Sequence, residues 1–304
     1  MKYDFPKLDL HLHLDGSMLP ESAWEMAKER GIEMPADNLD DFKKFIVVTA
    51  DCRSVNEYLE KFELPLQILQ DKAAISRTAR ELVIMLAEQG LVYAEIRFAP
   101  QLHMRKGLTQ EDAIEAVLEG VNQGIAETKS IDIGVICCAM SIGLETVNKD
   151  ENLETVRAAK KYLGKRVVAV DLAGAEGIVP VKNFHYIFDL AKELGIPFTC
   201  HAGDSDGAQS AWDAVGFGTK RIGHGHKVYD DKELCERVIR DNITLEICPT
   251  SNIQCQTQPS YEEHSVKKMY DMGIRVTINT DNMVLSDIDL DKEYDHCLNE
   301  MGFE

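Results

Sequence analysis

Short apolar runs alternate with amphipathic stretches along the whole chain. The runs lie at 7–12, 91–98, 131–139, 167–172, 196–201, 220–224, 243–248 and 275–280. Stretches with helical periodicity follow them at about 72–90, 109–128, 150–162, 181–194, 207–216, 230–240, 262–272 and 287–299. Runs such as Val167-Val168-Ala169-Val170 are almost continuously apolar, which is how parallel strands buried on both faces read. Eight strand-then-helix units without a break predict an α/β fold, a (β/α)8 barrel formed as a single domain over residues 1–304. An open doubly wound sheet is the alternative. It calls for a glycine-rich phosphate turn after the first strand, where this chain places histidines instead. The segment from Gly16 to Asp71 interrupts the pattern and carries Trp24, Phe42, Phe45, Phe62 and Leu66. An insertion after a barrel strand lies at the C-terminal face, so it is expected to lid or wall a pocket, or to pack as an ancillary unit.

Composition narrows the partners. A net charge of −19 repels phosphate backbones, which argues against nucleic acid and favours a small neutral or cationic substrate. The eight cysteines form no C-x-x-C pair, and Cys137, Cys138, Cys200 and Cys248 sit inside apolar runs, as reduced core thiols do. No run is long enough to span a membrane, and no apolar leader precedes Asp9, so a cytoplasmic location is expected.

The chemistry concentrates at the ends of the strands. His11 and His13 stand two apart on the first strand and so share one face. Paired neutral imidazoles fill a core poorly and bind a divalent metal well. His201, His224 and Asp281 each close a later run just before a loop. His11, His13, His201 and Asp281 together suit one zinc with an open position for water. His224 would orient or deprotonate that water, or serve as a further ligand. Asp204, three residues beyond His201, would donate a proton to the substrate. A binuclear site bridged by Asp171 is the rival arrangement, but the Gly174 turn after it reads more naturally as backbone approaching a ligand.

Six segments carry a resemblance: His11-Leu12-His13-Leu14-Asp15-Gly16-Ser17, Asp171-Leu172-Ala173-Gly174, His201-Ala202-Gly203-Asp204, Arg221-Ile222-Gly223-His224-Gly225, Cys248-Pro249-Thr250-Ser251-Asn252 and Asn279-Thr280-Asp281-Asn282. In order and content they resemble the motif series of the adenosine deaminase family, from residue 7 to about 300. The resemblance implies a zinc (β/α)8 barrel that replaces a purine 6-amino group by oxygen. It implies His11, His13, His201 and Asp281 as zinc ligands and His224 as the residue that activates or orients hydroxide. It also implies a Gly174 N–H bonded to a purine ring nitrogen and Asp15 facing the ribose. Asp204 stands where the family usually has Glu. That shortens the acid's reach by one methylene, roughly 1 Å, a displacement that can cost about a hundredfold in rate; Asp206 or Glu176 is the fallback acid. Asn282 stands where the family usually has a second Asp facing the purine five-membered ring. Asn carries its own N–H donors for an acceptor nitrogen such as N7. The chain ends soon after the eighth helical stretch, whereas the family often continues with further helix.

The leading expectation is zinc-dependent deamination of adenosine and 2′-deoxyadenosine, with a small purine nucleoside as the partner and neither nucleic acid nor membrane. The alternatives are deamination of another 6-aminopurine (adenine, an N6-modified nucleotide or an aminofutalosine-type metabolite) and a zinc-bound nucleoside-binding protein with little turnover.

Overall fold

The computed structural model describes residues 2–49, 52–144 and 147–304. Eight strands appear in chain order: β1 Lys7–His13, β2 Leu91–Phe98, β3 Asp132–Ser141, β4 Val167–Gly174, β5 Cys200–Ala202, β6 Arg221–His224, β7 Thr244–Ile247 and β8 Arg275–Ile278. Every ladder is parallel, in the orders β1-β2-β3-β4 and β5-β6-β7-β8. Two seams join these sets. Val170 N donates to Pro197 O and Thr199 N to Val170 O, each at 3.0 Å. On the other side His13 N donates to Asp281 O at 2.7 Å and Asp281 N to His11 O at 2.9 Å. The sheet thus closes into the expected (β/α)8 barrel.

A helix follows each strand: Lys72–Glu88, Gln110–Thr128, Lys149–Tyr162, His185–Leu194, Ala208–Phe217, Lys232–Arg240, Val266–Asp271 and Leu290–Asn299. Their starts are capped as their sequences suggest. Asp71 accepts from Ala74 N, and Thr109 with Asp112 forms a reciprocal capping box. Gly195 and Gly218 end two of the helices in left-handed conformation. Among the described residues no helix is long and apolar enough to cross a membrane.

The structure departs from the expected boundaries mainly in the second half. The run expected at 196–201 forms a strand only from Cys200, running on to Ala202; before it, Pro197 O and Thr199 N pair with Val170 as an isolated bridge. The stretch expected at 262–272 is helical only over Val266–Asp271. An extra helix, Pro249–Gln254, starts directly after β7 with Pro at its first turn, where the missing N–H costs nothing.

The segment Gly16–Asp71 folds into helices Pro20–Glu29, Leu39–Ile46, Val55–Leu59 and Glu63–Ile68. Trp24 and Phe42 pack on the core with ring centroids 5.3 Å apart, whereas Phe45 faces solvent. The segment is fastened to the loop after β8: Val48 N donates to Leu285 O at 2.7 Å, and the Tyr58 and Ser286 hydroxyls bond at 2.7 Å.

Candidate active site

The barrel brings His11, His13, His201, His224 and Asp281 to one place. The ligand atoms of His11, His13 and His201 lie within 4.8 Å of one another, and so do those of His11, His224 and Asp281. Asp281 Oδ1 is 3.5 Å from His11 Nε2 and 3.4 Å from His13 Nε2. His13 Nε2 and His201 Nε2 face each other at 3.3 Å. Two imidazole lone pairs at that distance repel unless a cation or proton lies between them. His11 Nε2 is fully buried and has no hydrogen-bond partner among the described residues. A donor set of three imidazoles and a carboxylate around an orphaned nitrogen fits a divalent metal.

The shell behind these residues fixes their ring orientation. Glu246 Oε2 lies 3.0 Å from His11 Nδ1, which leaves Nε2 turned toward the cluster. Asp171 Oδ2 lies 2.9 Å from His201 Nδ1, near enough for an ion pair though not aligned as a hydrogen bond. Asp171 therefore backs a histidine. Arg97, fully buried, joins both carboxylates at 2.8 Å and donates to Leu10 O at 2.7 Å. Burial opposes its charge, but Glu246 and Asp171 hold the guanidinium well above its ordinary range. Ser251 donates to Asp281 Oδ2 at 2.6 Å. At Gly223 a Cβ would come within 2.8 Å of His11 Cε1, so only glycine leaves room for that ring.

Asp204 sits on the other side of His224. Three donors converge on its Oδ1: His226 Nε2 and Thr257 Oγ1 at 2.7 Å, and Asn252 Nδ2 at 3.2 Å. None of these bonds goes to Oδ2, and Asp204 lines the cavity. Burial pushes the carboxyl up, yet His224, His226 and Thr257 bring it well below the usual carboxylate range. Burial lowers His224 to about 4 against the pull of Asp204, so its ring is neutral at pH 7. Glu176 accepts the backbone N–H groups of Gly203, Asp204 and Ser205 at 2.9–3.0 Å. Burial and the nearby charge of Asp204 raise it to about 7. It shapes the loop that carries Asp204. Asp206 does not line the cavity.

A cavity of about 370 Å³ opens beside the cluster, large enough for a small molecule. His13, His201, His224, Asp204 and Asp281 line one side. Val55, Tyr58, Leu59, Phe62 and Leu66 of the insertion line another, so the insertion both packs on the barrel and walls the pocket. Asp15, Gly174 and Asn282 also face it. Burial raises Asp15 to about 6. Gly174 has φ +108°, and a Cβ there would meet Ser141 O at 2.6 Å; the position excludes any side chain. Asn282 is buried with its Oδ1 against Gly16, where a Cβ would fall 1.9 Å away.

The sequence profile of the family described as adenosine deaminase matches residues 6–304. The chain belongs to the adenosine deaminase family. A curated adenosine deaminase from Haemophilus ducreyi is 41% identical over 290 residues, spanning 94% of this chain and 83% of that protein. Among solved structures, an adenine deaminase from Arthrobacter aurescens superposes with a TM-score of 0.86 at 22% identity, covering 98% of this chain and 89% of its own. An amidohydrolase from Burkholderia ambifaria with bound Zn also gives 0.86 at 22%, covering 99% and 81%. Both share the barrel.

Several residues of this family member escape a reading of motifs alone. Arg97 and Glu246 are single charges inside apolar strands, a signal that a buried ion network is present but not of its partners. His226, Asn252 and Thr257 meet around Asp204 and His224, Asn252 from the helix Pro249–Gln254, and His264 joins them through Asn252. Asn252 stands within a recognised motif, yet nothing in the sequence indicates what it touches.

Proposed function

We infer that this chain hydrolyses adenosine, and 2′-deoxyadenosine, to the corresponding inosine and ammonia with one zinc per chain. The observation that carries the reading is the convergence of His11, His13, His201 and Asp281 at the wall of a small-molecule cavity, in a chain of the adenosine deaminase family. These four residues would hold the zinc. Bound there, zinc supplies a Lewis acid that makes hydroxide available near neutral pH.

The remaining roles fall to residues around the cavity. Neutral His224 orients the attacking oxygen at purine C6. Asp204, anchored through Oδ1, offers Oδ2 to the ring nitrogen beside that carbon. It is ionised in the free protein, so the proton it delivers must first be taken up from water. The Gly174 N–H bonds a ring nitrogen, the Asn282 amide reads N7, and Asp15 faces the ribose.

Among the described residues the cavity lining contains no Lys or Arg to pair with a phosphate. That favours a nucleoside over a nucleotide. The test is the ultraviolet change on adding adenosine, 2′-deoxyadenosine, adenine or adenosine monophosphate to zinc-loaded protein. Both nucleosides should be consumed rapidly and the other two slowly or not at all. Faster turnover of adenine or of the nucleotide would refute the substrate assignment, and no turnover of any would refute the reaction.

A further inference from the structure

We propose that Asn252 is a positioning residue: it fixes His224 as a hydrogen-bond donor toward the metal-ligand cluster and ties it to Asp204, while His264 sets the direction of the Asn252 amide. The inference rests on the roles given to His224 and Asp204 above.

The argument begins at an atom whose role is unambiguous. The backbone N–H of Val266 can only donate, and it reaches His264 Nδ1 at 3.1 Å. That nitrogen must therefore accept, and a neutral His264 carries its proton on Nε2. His264 is buried, which disfavours the doubly protonated ring. Its Nε2 lies 3.3 Å from Asn252 Oδ1, so the His264 N–H donates there. The amide orientation is then settled, because the opposite flip would set N–H against N–H. The Asn252 NH2 group has two hydrogens and two acceptors: His224 Nδ1 at 3.1 Å and Asp204 Oδ1 at 3.2 Å.

His224 thus accepts at Nδ1 and, when neutral, carries its proton on Nε2. Its ring lies 4.8 Å from that of His11 and 5.3 Å from that of His201, centroid to centroid. A donor held there bonds the hydroxide oxygen and orients it for attack. It does not act as a base, since its free lone pair is already engaged by Asn252. One buried amide therefore sets the polarity of His224 and ties it to Asp204, whose Oδ1 is also held by His226 and Thr257. The arrangement was not visible from the motif that contains Asn252, because His264 joins it from the turn before the helix Val266–Asp271.

Two measurements on zinc-loaded protein test this. In histidine labelled with ¹⁵N, the wild-type protein without substrate should show His224 and His264 each unprotonated at Nδ1 and protonated at Nε2. Protonation of either ring at Nδ1 overturns the proposal, and this readout does not depend on whether adenosine is turned over. The second measurement uses Asn252→Asp, nearly the same shape with the polarity reversed. A carboxylate cannot donate to His224 Nδ1 and sets a like charge beside Asp204. It should move the His224 proton to Nδ1 and lower kcat for adenosine by about a hundredfold, with KM little changed and zinc retained. Unchanged kcat, or a raised KM at constant kcat, overturns the role. If that variant does not fold, the wild-type ring protonation decides alone.

Discussion

The two halves of the barrel are built differently. Strands β1 to β4 run 7, 8, 10 and 8 residues, whereas β5 to β8 run 3, 4, 4 and 4. The first half supplies His11 and His13 and the backing pair Arg97 and Asp171. The second supplies His201, Asp204, His224, Asn252, Asp281 and Asn282. Two of these residues stand in left-handed backbone, His224 at φ +62° and Asp281 at φ +59°. Such conformations are costly for non-glycine residues and persist where the surroundings enforce them. Here they turn the chain out of the sheet as soon as the functional side chain has been placed. The long ladders make a frame. The short ones give up ladder hydrogen bonds so that loops can carry chemistry. The ligand cluster draws on both halves, and Arg97 links them again by pairing Asp171 of β4 with Glu246 of β7.

The largest effect expected from breaking this division is loss of a ligand. His13→Ala removes one from the frame and Asp281→Ala one from the short strands. Elemental analysis should find both variants without zinc, and neither should convert adenosine above the blank. Hydrogen exchange should then show faster exchange in the segments after β5, β6 and β8, with β1 to β4 little changed. Equal loosening of both halves would contradict the comparison.

Next comes Asp204→Asn, which keeps the shape and removes the proton. It should retain zinc and lose about 10²–10⁴-fold in turnover. Near-normal turnover would move the acid's role to Glu176, which also lines the cavity.

Arg97→Met tests the link between the halves. It leaves Asp171 and Glu246 buried without their shared partner, and breaking a buried pair in this way costs about 3–5 kcal/mol. Denaturant unfolding should register that loss, with both halves affected.

The smallest effect is a pH slope. Glu293, from the last helix, is fully buried; its Oε1 accepts Thr250 N at 3.1 Å and its Oε2 has no partner among the described residues. Burial raises it to about 8. The folded protein then holds a proton that the unfolded chain has already released above the ordinary carboxyl range. Stability from this group is complete below about pH 4.3, the ordinary value, and is lost as pH rises toward 8. Glu293→Gln should flatten the melting temperature across that window. An unchanged slope would show that Glu293 is not its source.

Much of this frame was legible in the sequence because buried parallel strands read as nearly continuous apolar runs. β2 falls on its expected limits at Leu91 and Phe98. The short strands were overdrawn: the run at 275–280 enters a ladder only as far as Ile278. The left-handed residues at the end of β6 and three residues beyond β8 are His224 and Asp281. Both types tolerate that backbone without requiring it as glycine would, so the sequence does not mark where the chain leaves the sheet. The residues of the candidate metal cluster were legible because a histidine or carboxylate closing an apolar run has little structural reason to be there. Their supports were not, since Arg97, Glu246, Asn252 and His264 meet only after the barrel closes. The same holds for Tyr58, whose insertion docks on the loop that carries Asn282.

The central claim is that four side chains from both halves make one zinc site that runs adenosine deamination. Zinc titrated into metal-free protein, with inosine formation followed at each addition, tests it most directly. Activity should rise from the blank in proportion to added zinc and level off at one zinc per chain. Full activity in the metal-free protein, or a plateau reached only at two zinc ions per chain, would contradict it.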